Sequence, residues 1–196
     1  MKKYFIIIVS CICIISLVLN VVVINKYYEE KNAYDPAADW TDYSVRLRMT
    51  KQSDVFYEYS RYLKKIADNT ASWDELYGFA SAVRYFSNPE IVQGAINIKA
   101  GDNEEIRLLF DRILSAGFVV WQKFDELSAF EEEELLELQQ IYADLEYLLN
   151  VNHQEKSFTY YVQQDDFTSD ESLKVQDEVI KKLKVLERLF GESVFD

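Results

Sequence analysis

The chain has 196 residues, of which 49% are apolar, so it can bury a core and lacks the composition of a disordered chain. It contains only 5 Gly and 2 Pro, and this scarcity disfavours β-sandwiches and barrels, which need frequent tight turns. The formal net charge is −13, and a surface of that sign repels the phosphate backbone of nucleic acids.

The charge is unevenly distributed along the chain. Apart from Lys2 and Lys3, the sequence holds 19 basic and 34 acidic residues, all from Lys26 onward. This acidic portion repels anionic lipid headgroups and favours basic proteins, basic peptides or cations as partners. The two cysteines, Cys11 and Cys13, lie in the N-terminal apolar segment. The acidic portion therefore has no internal disulfide and no thiol nucleophile.

Residues 5–24 form an apolar segment of 20 residues that contains no charged side chain. A helix of that length spans roughly 30 Å, which is the thickness of the hydrocarbon core of a bilayer. A helix is also the conformation in which a single segment satisfies all its backbone polar groups in lipid. Tyr4, Tyr27 and Tyr28 flank the segment, where aromatic rings favour the membrane interface. The sequence predicts a transmembrane helix at 5–24, with the lipid bilayer as its partner.

Three other interpretations of this segment are weaker. A cleaved secretory signal has a shorter apolar run and a small-residue cleavage site, and the run here ends in VVVINKYYEEK. A lipoprotein signal would end its apolar run at the lipid-modified cysteine, whereas this run continues past Cys11. A buried helix of a soluble protein is rarely apolar on every face at the chain terminus. An uncleaved anchor is the best interpretation.

Basic residues predict the orientation of the anchor. Lys2 and Lys3 precede it in a very short tail without acidic residues, which favours a cytoplasmic N-terminus. The predicted order is a cytoplasmic tail at 1–4, the transmembrane helix at 5–24, a stalk at 25–40 and an extracytoplasmic domain at 41–196. The expected location is the cell membrane, as a single-pass protein whose compact basic start resembles that of bacterial proteins.

The first half of the domain shows three predicted helices. One starts near Thr41 or Asp42 and runs to about Asn69, although its first part alternates like a strand. Ser72 and Glu75 form a capping-box pattern that opens the second, and Pro89 opens a short third helix that Gly101 ends. The apolar positions recur at helical spacing: Val55, Phe56, Tyr59, Tyr62, Leu63 and Ile66; then Leu76, Phe79, Ala80, Val83 and Phe86; then Ile91, Val92, Ala95 and Ile98.

The second half shows three further helical patterns. One runs from Asp102 to about Leu127 with Gly117 in its interior, where close helix approach would explain a glycine. The next has a capping-box pattern at Ser128 and Glu131, and the last runs from near Ser169 to the residue before Gly191. Residues 158–162 (FTYYV) read as a brief extended segment. The apolar stripes are Ile106, Leu109, Ile113, Ala116, Val120 and Phe124; Leu135, Leu138, Tyr142, Leu145 and Leu149; and Val175, Val179, Leu183, Leu186 and Phe190.

The predicted fold class follows from these patterns. Five to six helices, each with one apolar stripe and short connections, are most economically packed as an antiparallel helical bundle. The whole chain is therefore predicted to be all-α, with an N-terminal transmembrane helix followed by that bundle.

The sequence offers little for catalysis, and we predict that the protein is not an enzyme, with no catalytic, cofactor-binding or metal-binding residue. His153 is the only histidine, so neither a two-histidine metal site nor a diiron bundle site is possible, and a serine triad has no nucleophile elbow. The acidic run 131–134 suits the first turns of a helix. Asp165, Asp166, Asp170 and Glu171 cluster before the last helix, where helix capping by Asp170 and Glu171 is a better interpretation than a calcium loop.

Tyrosine is frequent, and amphipathic rings at high density suit a recognition surface, although tyrosine also fills half-buried positions of a helical bundle with its hydroxyl in water. The candidate interaction residues are Tyr57, Tyr59, Tyr62, Tyr160 and Tyr161. The predicted function is protein–protein interaction in the cell envelope, as a sensor, scaffold or inhibitor of a basic or envelope protein. Two alternatives stay open: an envelope glycoside hydrolase that uses Asp or Glu pairs, and a protein that binds cations or cationic peptides.

Overall fold

The structure is a computed structural model that describes residues 36–86 and 96–191, and every regular element in these ranges is helical. The predicted all-α class is confirmed for this part of the chain. The described helices are α1 (Pro36–Ala67), α2 (Trp73–Phe86), a helical segment at 96–100, α3 (Glu104–Ala116), α4 (Val119–Gln122), α5 (Phe124–Leu127), α6 (Glu132–Leu149), a 3-10 helix (Val151–Lys156), α7 (Phe158–Gln163) and α8 (Asp170–Phe190).

The predicted anchor lies outside the described residues. Among the helices that are described, none combines the length and the apolar character needed to cross a bilayer. By its internal contacts the chain divides into two compact units, Met1–Trp40 and Thr41–Asp196. The second unit contains the helical bundle.

Three long helices pack side by side with alternating directions. Ser60 of α1 accepts a hydrogen bond from Gln139 of α6, and Ser53 donates to the backbone oxygen of Glu146. Residue numbers thus rise along α1 as they fall along α6, so the two helices are antiparallel. The α6–α8 pair is also antiparallel, because Asp144 pairs with Lys182 at one level and Phe130, just before α6, stacks on Phe190 at another.

The apolar stripes of α6 and α8 predicted the core correctly. All ten positions are buried: Leu135, Leu138, Tyr142, Leu145 and Leu149 in α6, and Val175, Val179, Leu183, Leu186 and Phe190 in α8. Side chains three and four residues apart share one face of a helix, so a regular stripe identifies the side that faces the core.

The C-terminus of α3 is buried between α1 and α6. The last carbonyl groups of a helix have no partner within the helix, so a buried end needs donors from elsewhere. Gln52 of α1 donates to the Ile113 oxygen at 3.1 Å, and Tyr142 of α6 donates to the Ala116 oxygen at 3.1 Å. Tyr59 donates to the Gly117 oxygen at 2.8 Å. These three bonds join α1, α3 and α6 at one point of the core.

The prediction of one long helix from Asp102 to Leu127 is wrong for its second half. The N-cap of α3 is Asn103, whose side chain accepts a hydrogen bond from the Ile106 amide, and α3 ends at Ala116. The chain then continues as the short helices α4 and α5. The predicted reason for Gly117 is confirmed, because a Cβ there would lie 2.3 Å from Nε2 of Gln52. Its role is to let α1 approach the end of α3.

Other predicted boundaries also need correction. The helix α1 begins at Pro36, before the predicted Thr41 or Asp42, since proline fits the first turn of a helix. The capping box of α6 is formed by Glu131 and Glu134, three residues after the predicted pair. The segment 158–162 is helical and not extended, and the Ser157 side chain caps it by accepting from the amide of Tyr160.

The helix α2 packs antiparallel against the short helices that follow α3. The Arg84 guanidinium lies 4.0 Å from the ring centroid of Trp121, and Tyr77 contacts Phe124 at 4.9 Å. On its other side α2 meets α1, where the ring of Phe79 contacts Tyr59 and Tyr62. The α1–α2 hairpin therefore contributes one wall of the bundle.

We expect Gly117→Ala to lower the free energy of unfolding by about 1–3 kcal/mol, because the methyl group displaces Gln52 from its buried hydrogen bond. Backbone strain is not the cause, since Gly117 has φ −71° and ψ −16°, which alanine adopts readily. Gly78→Ala is the matched control: nothing lies within 4 Å of its added Cβ, and it should stabilise α2 by up to about 1 kcal/mol. Urea unfolding followed by circular dichroism measures the free energy of unfolding of both variants. Equal changes in Gly117→Ala and Gly78→Ala would contradict the close contact between residue 117 and Gln52.

The buried tyrosines should make the fold sensitive to alkali. Burial raises the pKa of Tyr59 and of Tyr142 above the usual tyrosine value, so the folded state keeps both protons where the unfolded chain, above about pH 10, loses them. The free energy of unfolding should therefore fall as pH rises above 10, by at most about 2.7 kcal/mol per pH unit for two groups.

Urea unfolding between pH 9 and pH 11.5 measures this slope. A variant with Tyr59→Phe and Tyr142→Phe should be less stable at pH 8, because two buried carbonyls lose their donors, but it should show a shallower alkaline slope. Tyr57→Phe, at an exposed position, should leave the slope unchanged. An unaltered slope in the double variant would assign the alkaline effect to other groups.

Candidate functional site

The five predicted interaction tyrosines have different surroundings. Tyr57 is 56% exposed, whereas Tyr59 is fully buried and Tyr161 is only 5% exposed. Tyr62 is half-buried against Phe79, and Tyr160 is half-buried with its ring edge-on to Tyr161. Tyr59 and Tyr161 therefore do not belong to a surface, and the prediction is corrected for these two.

Helical spacing explains why Tyr59 is buried. It occupies the apolar stripe of α1 together with Phe56, Leu63 and Ile66, all of which are buried. The local crowding of aromatic residues suggested a surface, but the stripe indicates the side of the helix correctly. Tyr161 is held inside by its hydroxyl, which donates to the backbone oxygen of Glu155 at 3.0 Å.

The exposed side of α1 has its own apolar residues. Tyr43, Leu47 and Tyr57 are 58%, 39% and 56% exposed. At about 100° per residue, these three positions lie within about 40° of a common line along the helix. We call these three residues the outer face of α1. The sequence prediction missed Tyr43 and Leu47, although apolar residues off the core stripe are the signal that could have identified them.

A cleft of about 330 Å³ lies between α1 and α2, beside the outer face. Its volume is at the lower end of the range of about 300–1,000 Å³ for small-molecule pockets. Most of its exposed lining is apolar. The lining residues are Arg48, Lys51, Gln52, Asp54, Val55 and Glu58 from α1 and Phe79, Ala82 and Val83 from α2.

Arg48 is the unusual residue of this cleft. Its side chain is buried, with 8% of the residue exposed, and its Nε has no hydrogen-bond acceptor within the described part of the chain. Burial lowers the pKa of Arg48 from its usual value, and no carboxylate among residues 36–86 and 96–191 offsets that effect. A guanidinium remains charged even so, which leaves a buried cation without a counter-ion among the described residues.

Asp54 and Glu58 line another part of the same cleft. The pKa of Asp54 is raised, first by burial and then by the neighbouring charges of Glu146 and Glu58. Glu58 accepts hydrogen bonds from the guanidinium of Arg61. A paired acid and base of the glycosidase kind needs two carboxyl groups with different roles.

The acidic residues before α8 are used within the fold. The Asp166 carboxylate accepts from the amides of Thr168 and Ser169 and from the Ser169 hydroxyl, and these bonds lower its pKa. Asp165 pairs with Lys99, which also pairs with Asp42 of α1. Over residues 36–86 and 96–191, no three acidic, histidine or cysteine side chains are grouped to hold a metal ion. The N-cap of α8 is Ser169, and the predicted capping residues Asp170 and Glu171 lie in the first turn of the helix instead.

His153 lies in the 3-10 helix and is half-buried. Its ring packs on that of Tyr147, with 4.0 Å between the centroids. Packing against an aromatic ring accounts for this histidine without a chemical role.

Comparisons with known proteins do not identify the chain. No protein-family model, no curated protein and no solved structure matches it.

Proposed function

We propose that this chain is a membrane-anchored, extracytoplasmic helical module that works by binding another protein of the cell envelope. The observation on which the binding role depends is the outer face of α1, where Tyr43, Leu47 and Tyr57 are exposed along one line. The anchor is proposed from the 20 uncharged apolar residues at 5–24.

The physical argument concerns the cost of exposing apolar rings to water. A single exposed apolar residue is ordinary on a protein surface and needs no explanation. Aligned exposed residues on one helical face, of which two are tyrosine, have the composition found at the centres of interfaces. A partner helix or groove laid along α1 would remove all three side chains from water at once.

Charge gives the proposed partner its chemistry. The net charge of −13 favours a basic partner and speeds its approach by electrostatic attraction. Asp54 lies on the same side of α1, between Leu47 and Tyr57, and is exposed. A basic residue of the partner would pair with it at the rim while apolar groups cover the rings. The partner we propose is thus a basic envelope protein with an apolar strip.

The envelope glycoside hydrolase is supported less well. Its best observation is the raised pKa of Asp54 in the α1–α2 cleft, as a general acid requires. The second carboxylate lining the cleft, Glu58, is paired with Arg61. A sensing, scaffolding or inhibitory role therefore remains our proposal.

A photoreactive amino acid at Thr50, in the middle of the outer face, should crosslink in living cells to one discrete envelope protein. Adding Tyr43→Ser and Leu47→Ser should reduce that adduct at least tenfold, because loss of interface anchors typically costs more than about 1.4 kcal/mol. Mass spectrometry of the adduct identifies the partner.

The control is the same photoreactive amino acid at Leu108, which is 55% exposed on α3. That position should not give the same adduct. An adduct that persists in the serine double variant, or that forms equally from position 108, would overturn the role of the outer face.

The proposed topology is tested separately. Alkaline phosphatase fused to the C-terminus of the full chain should be active, because that enzyme needs the oxidising outside of the cell membrane. Replacing Lys2 and Lys3 by Glu should reduce this activity, since the basic tail sets the orientation. Activity of a cytoplasm-only reporter at the same fusion point would reverse the orientation, and a freely soluble full-length chain would remove the anchor from the proposal.

A further inference from the structure

The buried guanidinium of Arg48 has no acceptor for its Nε in the described part of the chain. A buried charge without a partner is destabilising, so an ordinary structural role does not explain this residue. Salt bridges elsewhere in the described residues join α1 to the helical segment at 96–100, α3 to α8, and α6 to α8, but none involves Arg48. An unpaired charge in a cleft, rather than in a sealed core, is instead placed to meet a ligand.

The rest of the cleft indicates what such a ligand would look like. Val55 of α1 and Phe79, Ala82 and Val83 of α2 provide an apolar wall next to the cation. The cleft therefore combines one buried positive group with a mostly apolar exposed surface. Ligand pockets typically combine an apolar lining with a few polar groups that fix orientation.

We infer that the cleft between α1 and α2 binds a small amphiphilic carboxylate, an anion of the fatty-acid class, whose carboxylate pairs with Arg48. The acyl chain lies against Val55, Phe79 and Val83. This inference does not depend on the proposed protein partner, because Arg48 and Val55 lie on a different side of α1 from the outer face.

The charges around the cleft favour a carboxylate over other anions. One buried guanidinium balances a single negative charge, and its planar donors match the two oxygens of a carboxylate. A phosphate monoester has a charge of about −1.5 to −2 at pH 7 and would need more compensation. Lys51 is exposed at the rim and can attract the head group, whereas Asp54 and Glu58 line the cleft further along α1. These two acidic side chains would repel the ligand carboxylate, which places the head group at the Arg48 end of the cleft.

The inference is tested with octanoate and the full chain in nanodiscs of zwitterionic lipid. Calorimetric titration should show saturable binding in addition to partition into the lipid. Arg48→Met should weaken binding at least about tenfold, which corresponds to the loss of one charge-assisted hydrogen bond. Arg46→Met, at an exposed position on the same helix, should leave the affinity unchanged. Lipid partition is common to all variants and cancels in the comparison.

Ligand variants separate the two parts of the proposed ligand. Octanol lacks the charge, acetate lacks the chain and octyltrimethylammonium has the opposite charge, so each should bind at least tenfold more weakly than octanoate. Octyl phosphate tests the head group, and stronger binding than octanoate would reassign the ligand to a phosphate lipid and overturn the carboxylate proposal. Equal affinities for octanol and octanoate would show that Arg48 does not recognise the ligand's carboxylate, and would overturn the inference.

Stability provides an independent measurement. Arg48→Met removes an unpaired buried charge and should raise the Tm of the unliganded chain by about 2–4 °C, whereas octanoate should raise the Tm of the wild type only. If Arg48→Met does not fold, Ala82→Phe fills the cleft from α2 and should abolish octanoate binding in a folded chain. Undiminished binding to Ala82→Phe would place the ligand elsewhere and refute the inference.

Discussion

The bundle depends on how the buried end of α3 is satisfied. A helix C-terminus in a core leaves carbonyl groups that water cannot reach, and each one left unpaired costs about 1–3 kcal/mol. Gln52 and Tyr59 of α1 and Tyr142 of α6 supply the missing donors, and all three are buried. Their reach is short, so α1 and α6 must lie close to this end. The glycine at 117 is what permits that distance on the α1 side.

Periodicity predicted the helices and their core faces because it depends only on the geometry of one helix. Leu138 and Val179 could be assigned to the core without any knowledge of neighbouring helices. The ends of helices depend on more than that. The apolar spacing does not show that α3 stops at Ala116, since Val120 and Phe124 continue its stripe past Gly117. The break lets the end of α3 meet donors from α1 and α6. The helical state of 158–162 likewise comes from Ser157 as a cap and from the Thr159 hydroxyl, which donates to the Leu149 oxygen.

The candidate sites were harder to predict than the core, for a related reason. Tyrosine is suited both to buried positions with one polar partner and to exposed recognition surfaces, so its abundance does not separate the two. Tyr59 and Tyr57 are two residues apart and have opposite environments. The isolation of Arg48 is not visible in the sequence at all. It arises because the apolar residues Phe79 and Val83 of α2 line the same cleft, and this depends on how the α1–α2 hairpin closes.

The helix α1 links the core to both candidate surfaces. It is one continuous helix from Pro36 to Ala67, so any rotation about its axis turns all of its side chains together. Gln52 and Tyr59 fix that rotation through their bonds to the end of α3. A turn of α1 by one residue, about 100°, would point Arg48 away from α2 and bring part of the outer face into the bundle. The buried hydrogen bonds of Gln52 and Tyr59 therefore determine which α1 side chains remain exposed and which face the cleft. These bonds stabilise the fold, and they also position the residues through which we propose that the protein binds its partner and its ligand.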